Sequence, residues 1–419
     1  MKILLLGADG FIGRHLAFGL RASGNHVVAS ARRTKRLSEM GFEVLTADLS
    51  NPETHSPSFW QERVKGVTHV VNAAGLLTGS ETAMKAVHVS APNSLYATLP
   101  SNTPIVLLSA ISIDEGKSRF AKVRLEAEAS VHKFGGTALR PGLVLADTSY
   151  GGSSLGRALS ALPWAIPLID GGAQEVNPIH AEDLARVVQS LLQDPQPGKT
   201  LEVGGSETLT QGQMLLEYRR WLGLPKPRKI NMPSALARTV GRIGDVFRLG
   251  PISATFISML EAGALAQTNP EISPKPRGFS EFLWARPAGT QDLWQARLYL
   301  LKPALRIILA FMWLVSGLIG LFLPSEAFLP LFTDTQQSEL FLLALARGGG
   351  IIDIAIAAAL FRGIAPKLVA LIQLAIVGGY TLGISILAPA LWLLPLGGLL
   401  KNLPILLLLV IHLIFEDER

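Results

Sequence analysis

The chain opens Lys2-Ile-Leu-Leu-Leu6-Gly7-Ala-Asp-Gly10-Phe-Ile-Gly13-Arg-His-Leu-Ala17. Four apolar residues meet a glycine, and a helix-period pattern from Phe11 to Ala22 starts directly after it. A short apolar run bounded by glycine reads as a buried strand. Gly7 and Gly10 let the backbone turn tightly, and the helix that follows offers free N–H groups and a partial positive charge to a pyrophosphate. Glycines also serve plain turns. The strand–turn–helix setting makes nucleotide binding the expectation and a structural turn the alternative. The run Met1–Leu6 is too short for a signal peptide and meets Gly7 and Asp9 where an apolar core should continue, so the N-terminus is expected to stay in the cytosol.

Working outward, short apolar runs alternate with helical stretches as far as Leu139. Strands are expected at Ile3–Leu6, Val27–Ser30, Val44–Thr46, His69–Val71, Ile105–Leu108 and Thr137–Leu139. Helices are expected at Phe11–Ala22, Glu81–Leu99 and Lys117–Lys133. This alternation predicts an α/β doubly wound parallel sheet of Rossmann type. A turn at Gly171-Gly172, a strand over Glu175–Ile179 and helices at Ala181–Gln193 and Thr210–Leu222 follow. About 20 residues past the glycines an acid would hold a ribose 2′-OH. Here the second strand ends Ser30-Ala31-Arg32-Arg33, so Arg32 and Arg33 suit the 2′-phosphate of NADP(H). NAD(H) stays possible, and a solvated basic loop is the bland alternative.

The 419 residues are 49% hydrophobic and only 17% charged, with a mean hydropathy of +0.36, which argues against disorder and against a wholly soluble chain. Residues 303–419 hold six Lys/Arg and seven Asp/Glu, whereas residues 1–302 hold 32 and 25. A basic body beside a charge-poor tail suits anionic lipid headgroups better than nucleic acid. With no cysteine, disulfides, thiol nucleophiles, Cys-ligated zinc and iron–sulfur clusters are excluded. The histidines are scattered and no metal set emerges.

Arg306 and Glu326 bracket 19 uncharged residues, enough to cross a bilayer, and Lys367 and Lys401 bracket 33 more. Four spanning helices are expected near 304–323, 340–361, 367–388 and 391–415, an all-α transmembrane bundle. The last segment, crowded by Pro395, Gly397-Gly398, Lys401 and Pro404, alternatively forms a re-entrant piece and a short helix. Arg286, Arg297, Lys302 and Arg306 precede the first span, and Arg362 and Lys367 lie in the second loop. The loop from Pro324 to Glu339 has three acids and no Lys or Arg. The positive-inside rule then places both termini in the cytoplasm, with the chain in the inner membrane. The expected parts are residues 1–250 as the dinucleotide-binding domain, 251–302 as linker and juxtamembrane segment, with a connector at Asn269–Pro287 and an amphipathic approach at Gln291–Lys302, and 303–419 as the membrane domain.

Taken together, residues 1 to about 250 resemble an atypical short-chain dehydrogenase/reductase, NAD-dependent epimerase/dehydratase-like, close to the branch of the accessory subunit of respiratory complex I. The resemblance rests on Gly7, Gly10 and Gly13, on Asp48-Leu49, on Asn72-Ala73-Ala74-Gly75 and on Leu139-Arg-Pro-Gly142. Val176-Asn-Pro-Ile-His180-Ala-Glu-Asp183 and Glu202-Val-Gly-Gly205 extend it. It implies a cofactor site made by Gly7, Gly10, Phe11, Ile12, Gly13, Arg32, Arg33, Asp48, Leu49, Ala73, Ala74, Gly75 and Arg124.

The same superfamily works with Tyr-x-x-x-Lys on one helix, the tyrosine exchanging a proton with substrate oxygen and the lysine lowering its pKa. Here Phe120 and Arg124 stand in those positions. No other tyrosine, at 96, 150, 218, 299 or 380, has a lysine four residues on. Arg124 retains hydrogen bonds for a nicotinamide ribose. Ser109 is the candidate to polarise a substrate oxygen, with Ser112 beside it, and either is equally a loop hydroxyl bonded to backbone. His88 is expected to pack or bond backbone more than to act in chemistry, and Tyr150, with Gly151-Gly152, falls where a substrate loop is usual.

From about Gln291 the chain resembles a DoxX-like four-helix membrane domain. The matching segments are Arg297-Leu-Tyr-Leu-Leu-Lys302-Pro303, Trp313-Leu-Val-Ser-Gly317, Leu387-Ala-Pro-Ala-Leu-Trp392 and Pro395-Leu-Gly-Gly-Leu-Leu-Lys401. Asp353 is expected to pair with Lys401 or Arg347 inside the bundle, with Arg347 snorkelling and Lys401 lying shallow as alternatives. His412 is expected at the inner interface. Two functions compete. One is a membrane-anchored NADP(H)-dependent oxidoreductase acting on a quinone-like or other lipid-soluble substrate. The other is a non-catalytic NADP(H)-binding sensor or assembly protein with a membrane redox protein as partner. An idle glycine turn in a purely structural protein is a third. The partners implied are the lipid bilayer and that substrate or protein, and no nucleic acid.

Overall fold

The computed structural model describes residues 1–114, 118–250, 252–254, 257, 264–332, 337–393 and 395–417. They form two compact units, Met1–Ala237 with Thr255–Leu293, and Arg238–Ala254 with Trp294–Arg419.

The first unit is built on seven parallel strands. They are β1 (Lys2–Leu6), β2 (His26–Ala31), β3 (Glu43–Thr46), β4 (His69–Asn72), β5 (Ile105–Leu108), β6 (Thr137–Pro141) and β7 (Thr200–Val203), in the order β7-β6-β5-β4-β1-β2-β3. Alternation along β1 shows why the sheet is covered on both faces. Ile3 and Leu5 face a core with Leu16 and Leu20 of α1 (Phe11–Ala22), and Leu4 and Leu6 face a second core with Trp60, Leu95 and Val131. All four β1 side chains are fully buried, each contributing roughly 1.5–3 kcal/mol by leaving water. Helix α2 (Arg119–Lys133) packs on the second face and α3 (Ala181–Gln193) lies against α1 on the first. Lys117, where α2 was expected to start, lies outside the described residues.

Two features depart from the sequence expectation. The helix over Glu81–Leu99 is helical from Glu81 to Tyr96, but Ala86–Ser90 is wound as a π-helix, a distortion frequent at functional sites. The stretch from Ala264 to Leu293 belongs to the first unit instead of serving as a linker, so neither the boundary at 250 nor the connector at Asn269–Pro287 coincides with the observed division. The reason is local. The Asn177 amide bonds both backbone groups of Ala266 at 2.8 Å, and Arg277 Nε reaches the buried Asp183 carboxylate at 3.1 Å. Such backbone pairing leaves no periodic trace in sequence.

The second unit contains helices Leu301–Phe322, Glu339–Arg362, Pro366–Leu387 and Asn402–Phe415. The turns Pro389–Leu393 and Pro395–Lys401, both 3₁₀, precede the last of these. Among the described residues four helical segments, Thr290–Phe322, Glu339–Arg362, Pro366–Leu387 and Gly398–Phe415, are long and apolar enough to cross a membrane. Their interior holds Trp313, Ile356, Leu360, Val369 and Leu409, and Trp313 donates to Gln373 Oε1 at 2.8 Å. Asp353 is buried and accepts from Ser316 Oγ at 2.7 Å; it pairs with neither Arg347 nor Lys401 among the described residues. Arg347 instead donates to Gly320 O and Leu323 O, both at 2.8 Å, satisfying carbonyls that end the first span. Lys401 is exposed, and His412 is fully buried against the neighbouring residues. Asp334, one of the three acids of the first loop, lies outside the described residues.

Candidate functional site

The glycine turn is set by close approach. Gly7 has φ +75°, and a Cβ there would lie 2.7 Å from the Ala74 backbone. A Cβ on Gly13 would stand 2.0 Å from Gly7 O. These contacts draw the end of β1, the start of α1 and the loop after β4 together, so Gly7, Gly13, Ala73 and Ala74 meet at the carboxyl edge of adjacent strands, where doubly wound sheets take ligands. Gly10 is the N-cap of α1 and no side chain caps that helix, which leaves its first N–H groups to whatever docks there. Phe11 and Ile12 are half-buried in its first turn. The Phe11 ring is flanked by His15 at 5.2 Å and by the stacked, exposed Tyr150 at 6.0 Å, while His15 Nε2 meets Thr148 Oγ1 at 2.8 Å. The loop bearing Tyr150 therefore lies beside the start of α1.

Arg32 and Arg33 are exposed just after β2. Asp48 Oδ1 accepts from Ser50 N at 3.0 Å and from its hydroxyl at 2.6 Å, bonds that hold the carboxyl below its ordinary pKa, with Arg32 adding to the effect. Leu49 is buried.

The second cluster lies at the ends of β4 and β5. Asn72 Oδ1 accepts from Ala74 N at 3.1 Å, and its amide donates to the Tyr96 hydroxyl at 2.9 Å. Burial pushes the Tyr96 phenol up to about 12. Phe120 and Arg124 share one face of α2. The Phe120 ring is edge-on to His88 at 6.0 Å, and the Arg124 guanidinium carbon lies 5.9 Å from its centre. Arg124 is 6% exposed; Nη1 donates to His88 Nδ1 at 2.9 Å, Nη2 donates to Leu108 O, and Nε is buried with no hydrogen-bond partner among the described residues. Burial lowers this guanidinium to about 10, against the pull of Glu128 and Tyr96. Burial first, and Arg124 second, push His88 down to about 4. A buried donor without a partner, beside an uncapped helix start and a glycine cradle, fits a dinucleotide carrying ribose hydroxyls and phosphates.

Ser109 does not face the same way. Its hydroxyl donates to Glu128 Oε1, and both groups are buried. Arg140, in the Leu-Arg-Pro-Gly strand end, grips Glu128 through Nε and Nη2 at 2.8 Å each and reaches Asp114 at 2.8 Å, contacts that raise its pKa. With its proton committed to a carboxylate, Ser109 has none to give a substrate oxygen. Sequence reasoning passed over Glu128 and Arg140. Glu128 continues the Phe120, Arg124 face at i+8, a spacing that could have revealed it.

A separate cleft of about 470 Å³, lined by Asn177, Gly204, Gly205, Thr268 and Lys275 among others, follows the end of β7 and shares no residue with the glycine turn or the Arg124 cluster.

Comparison with known proteins agrees with this anatomy. Residues 3–98 match the NAD dependent epimerase/dehydratase family, and residues 310–410 match the DoxX-like family. The chain thus joins an epimerase/short-chain-dehydrogenase-like N-terminal domain to a DoxX-like C-terminal domain. It is 27% identical to a 3-diazoavenalumate denitrifying reductase of Streptomyces sp over 265 residues, 57% of this chain and 86% of the relative. It is also 27% identical to the chloroplastic homologue of epimerase family protein SDR39U1 of Arabidopsis thaliana over 267 residues, 54% of this chain and 74% of that one. Among solved structures, a UDP-glucuronic acid 4-epimerase of Bacillus cereus in complex with NAD aligns at 17% identity and a TM-score of 0.47, covering 56% of this chain and 87% of the other.

Proposed function

We propose that this protein is a membrane-anchored reductase that holds NADP(H), or less readily NAD(H), and reduces an electron-poor, lipid-soluble acceptor of quinone type. The observation that carries the reading is the Phe120–Arg124–His88 cluster. The buried arginine keeps a donor, Nε, for a ribose hydroxyl, while the position of the proton-giving tyrosine is a phenyl ring. A bound nicotinamide dinucleotide supplies hydride, and the acceptor takes it with one proton from water, the full balance of quinone-to-hydroquinone reduction. An acceptor of that electrophilicity needs no phenol in the pocket, whereas an ordinary ketone does. The Streptomyces relative is named a reductase, which supports the same class of work. In this reading the four spans sit in the inner membrane and the positive residues at 286, 297, 302 and 306 keep the dinucleotide-binding unit cytoplasmic.

The engagement of Ser109 with Glu128 favours the second reading, a non-catalytic NADP(H)-binding sensor or assembly protein with a membrane redox partner. One experiment separates them. The full chain in liposomes of native lipid extract receives NADPH deuterated at C4, both stereoisomers in turn, and bound cofactor and lipid are analysed by mass spectrometry. Deuterium in a quinone or other lipid supports the reductase. Retained NADPH without transfer supports the sensor, and no retained dinucleotide sinks both. In the same assay Arg32→Asp should turn the cofactor preference towards NADH.

A further inference from the structure

We propose that the helix Ser234–Val246 and the Phe247–Arg248 turn that follows it form an interfacial anchor that lies in the headgroup layer and binds anionic lipid. Residues Arg238–Ala254 belong to the unit that holds the four apolar helices. Val240, Ile243 and Val246 recur every three residues and so share one face, and they are 40%, 50% and 71% exposed. Arg238 and Arg242, one turn apart, are exposed on another face, and Arg248 is exposed just beyond the helix. The buried side of the helix carries only small residues, Ala237, Gly241 and Gly244. A Cβ on Gly241 would lie 2.8 Å from Ala254 N and one on Gly244 1.7 Å from Ile252 O, so the helix already packs as closely as backbone allows there. Among the described residues, the exposed apolar stripe is what remains without a cover.

What covers it follows from depth. Arg306, near the start of the first span, donates through Nη2 to Phe247 O and, at 3.1 Å, to Arg248 O. The Phe247 ring lies 5.8 Å from Phe361, one residue before the second helix ends. One span begins and the next ends at this level, which is the boundary of the hydrocarbon. An amphipathic helix with a basic face fixed at that depth buries its apolar stripe in the acyl boundary and meets phosphate with its arginines. Trp294, 63% exposed in the helix leading to the first span, adds an amphipathic ring of the kind found at membrane interfaces. This inference rests on the bilayer reading of the spans and is independent of the reductase reading.

The chain has no cysteine, so a single introduced thiol is a unique label site. Ile243→Cys, Val246→Cys and Arg242→Cys chains, each carrying a small environment-sensitive fluorophore, are placed in nanodiscs of phosphatidylcholine with or without phosphatidylglycerol. Labels at 243 and 246 should be quenched several-fold more by shallow lipid-borne nitroxide than by aqueous iodide, and the label at 242 the reverse. Phosphatidylglycerol should strengthen the lipid quenching at 243, and Arg238→Gln with Arg248→Gln in the Ile243→Cys background should remove that gain. Iodide access at both 243 and 246 in both lipids would overturn the anchor and leave the face to a protein partner. Lipid quenching indifferent to phosphatidylglycerol and to the arginines would overturn the headgroup site. Deuteride transfer is read separately, so its failure leaves these outcomes intact.

Discussion

Arg124 Nη1 donates to Nδ1 of His88 across 2.9 Å, and both side chains are almost wholly buried. A guanidinium has no lone pair to offer, so the imidazole accepts at Nδ1 and is neutral, while its Nε2 lies 3.1 Å from Leu76 O and 3.0 Å from Leu76 N. Leu76 follows the Asn-Ala-Ala-Gly turn. The histidine therefore ties the arginine of α2 to the loop that packs on Gly7. It serves as a fixed strut, and a strut of this kind fails when protonated.

That failure has a pH window. Above about pH 6.5 His88 is neutral in both folded and unfolded chains. Between 6.5 and about 4 the unfolded chain takes up a proton that the folded one refuses. The stability due to neutral His88 is thus complete above pH 6.5 and is lost as pH falls towards 4, by on the order of 3 kcal/mol. His88→Gln keeps an acceptor and removes the titration. Denaturant unfolding at pH 7.5 to 4.5, values chosen to bracket roughly this window, should show the wild type losing stability faster than the variant. Parallel profiles would assign the acid sensitivity elsewhere.

Phe120 and Arg124 stand one turn apart with the ring and guanidinium carbon 5.9 Å apart, so the frame of a Tyr–Lys pair is present without its chemistry. Phe120→Tyr alone should leave carbonyl reduction undetectable, because Arg124 stays bound to His88 and Leu108 O. Adding Arg124→Lys supplies a point charge beside the new phenol. The double variant should reduce a small activated ketone with NADPH about 10²-fold or more above the single one, the lower end of general acid catalysis. NADPH consumption against ketone concentration measures it, and equal rates in both variants would show that the pocket has closed to substrate.

The Glu128 carboxylate, 4% exposed, accepts from Arg140 twice and from Ser109 once. Glu128→Gln leaves a buried guanidinium with only the more exposed Asp114 and Glu202 for compensation. Removing one partner of a buried pair costs about 3–5 kcal/mol, and Asp114 should hold the loss near the lower figure. Thermal unfolding of the full chain in detergent would register it. Glu128→Leu with Arg140→Met should recover most of the loss, since the expense lies in the unpaired charge and not in the missing bond.

What the sequence disclosed and what it hid divide along physical lines. The buried strands of the sheet and the apolar segments are one-dimensional signals; β1, α1 and the first three spans stand where periodicity put them, whereas the fourth, expected over 391–415, is a helix only from Asn402, after 3₁₀ turns at Pro389–Leu393 and Pro395–Lys401. The Gly7–Gly13 turn and the Phe120/Arg124 exchange were legible because they depend on residue type at fixed spacing. Pairings across distance were not. Nothing local marks Ser109 as bound to Glu128, Arg347 as serving the Gly320 and Leu323 carbonyls, or Ala266 as paired with Asn177. The expectation that Asp353 would find a cation followed the cost of a lone charge in a bilayer, but it overlooked that a serine on the neighbouring helix, Ser316, could supply the contact.

Gly348 and Gly350 lie two residues apart in one helix and differ in a single respect. A Cβ on Gly348 meets nothing within 4 Å, whereas one on Gly350 would stand 2.8 Å from Gly317 O and 3.0 Å from Leu321 N. The first two spans touch backbone to backbone there, the contact that small residues permit between membrane helices. The Ser316–Asp353 bond at 2.7 Å and the Arg347–Gly320 bond at 2.8 Å depend on that approach. Gly348→Ala should therefore leave the unfolding temperature in detergent unchanged or raise it, as alanine favours a helix over glycine by about 1 kcal/mol. Gly350→Ala gains the same propensity yet must push the helices apart, loosening both polar bonds, and its unfolding temperature should fall below that of the wild type. Equal behaviour of the two variants would mean that lipid, and not the Gly317–Gly350 contact, sets the spacing of these spans.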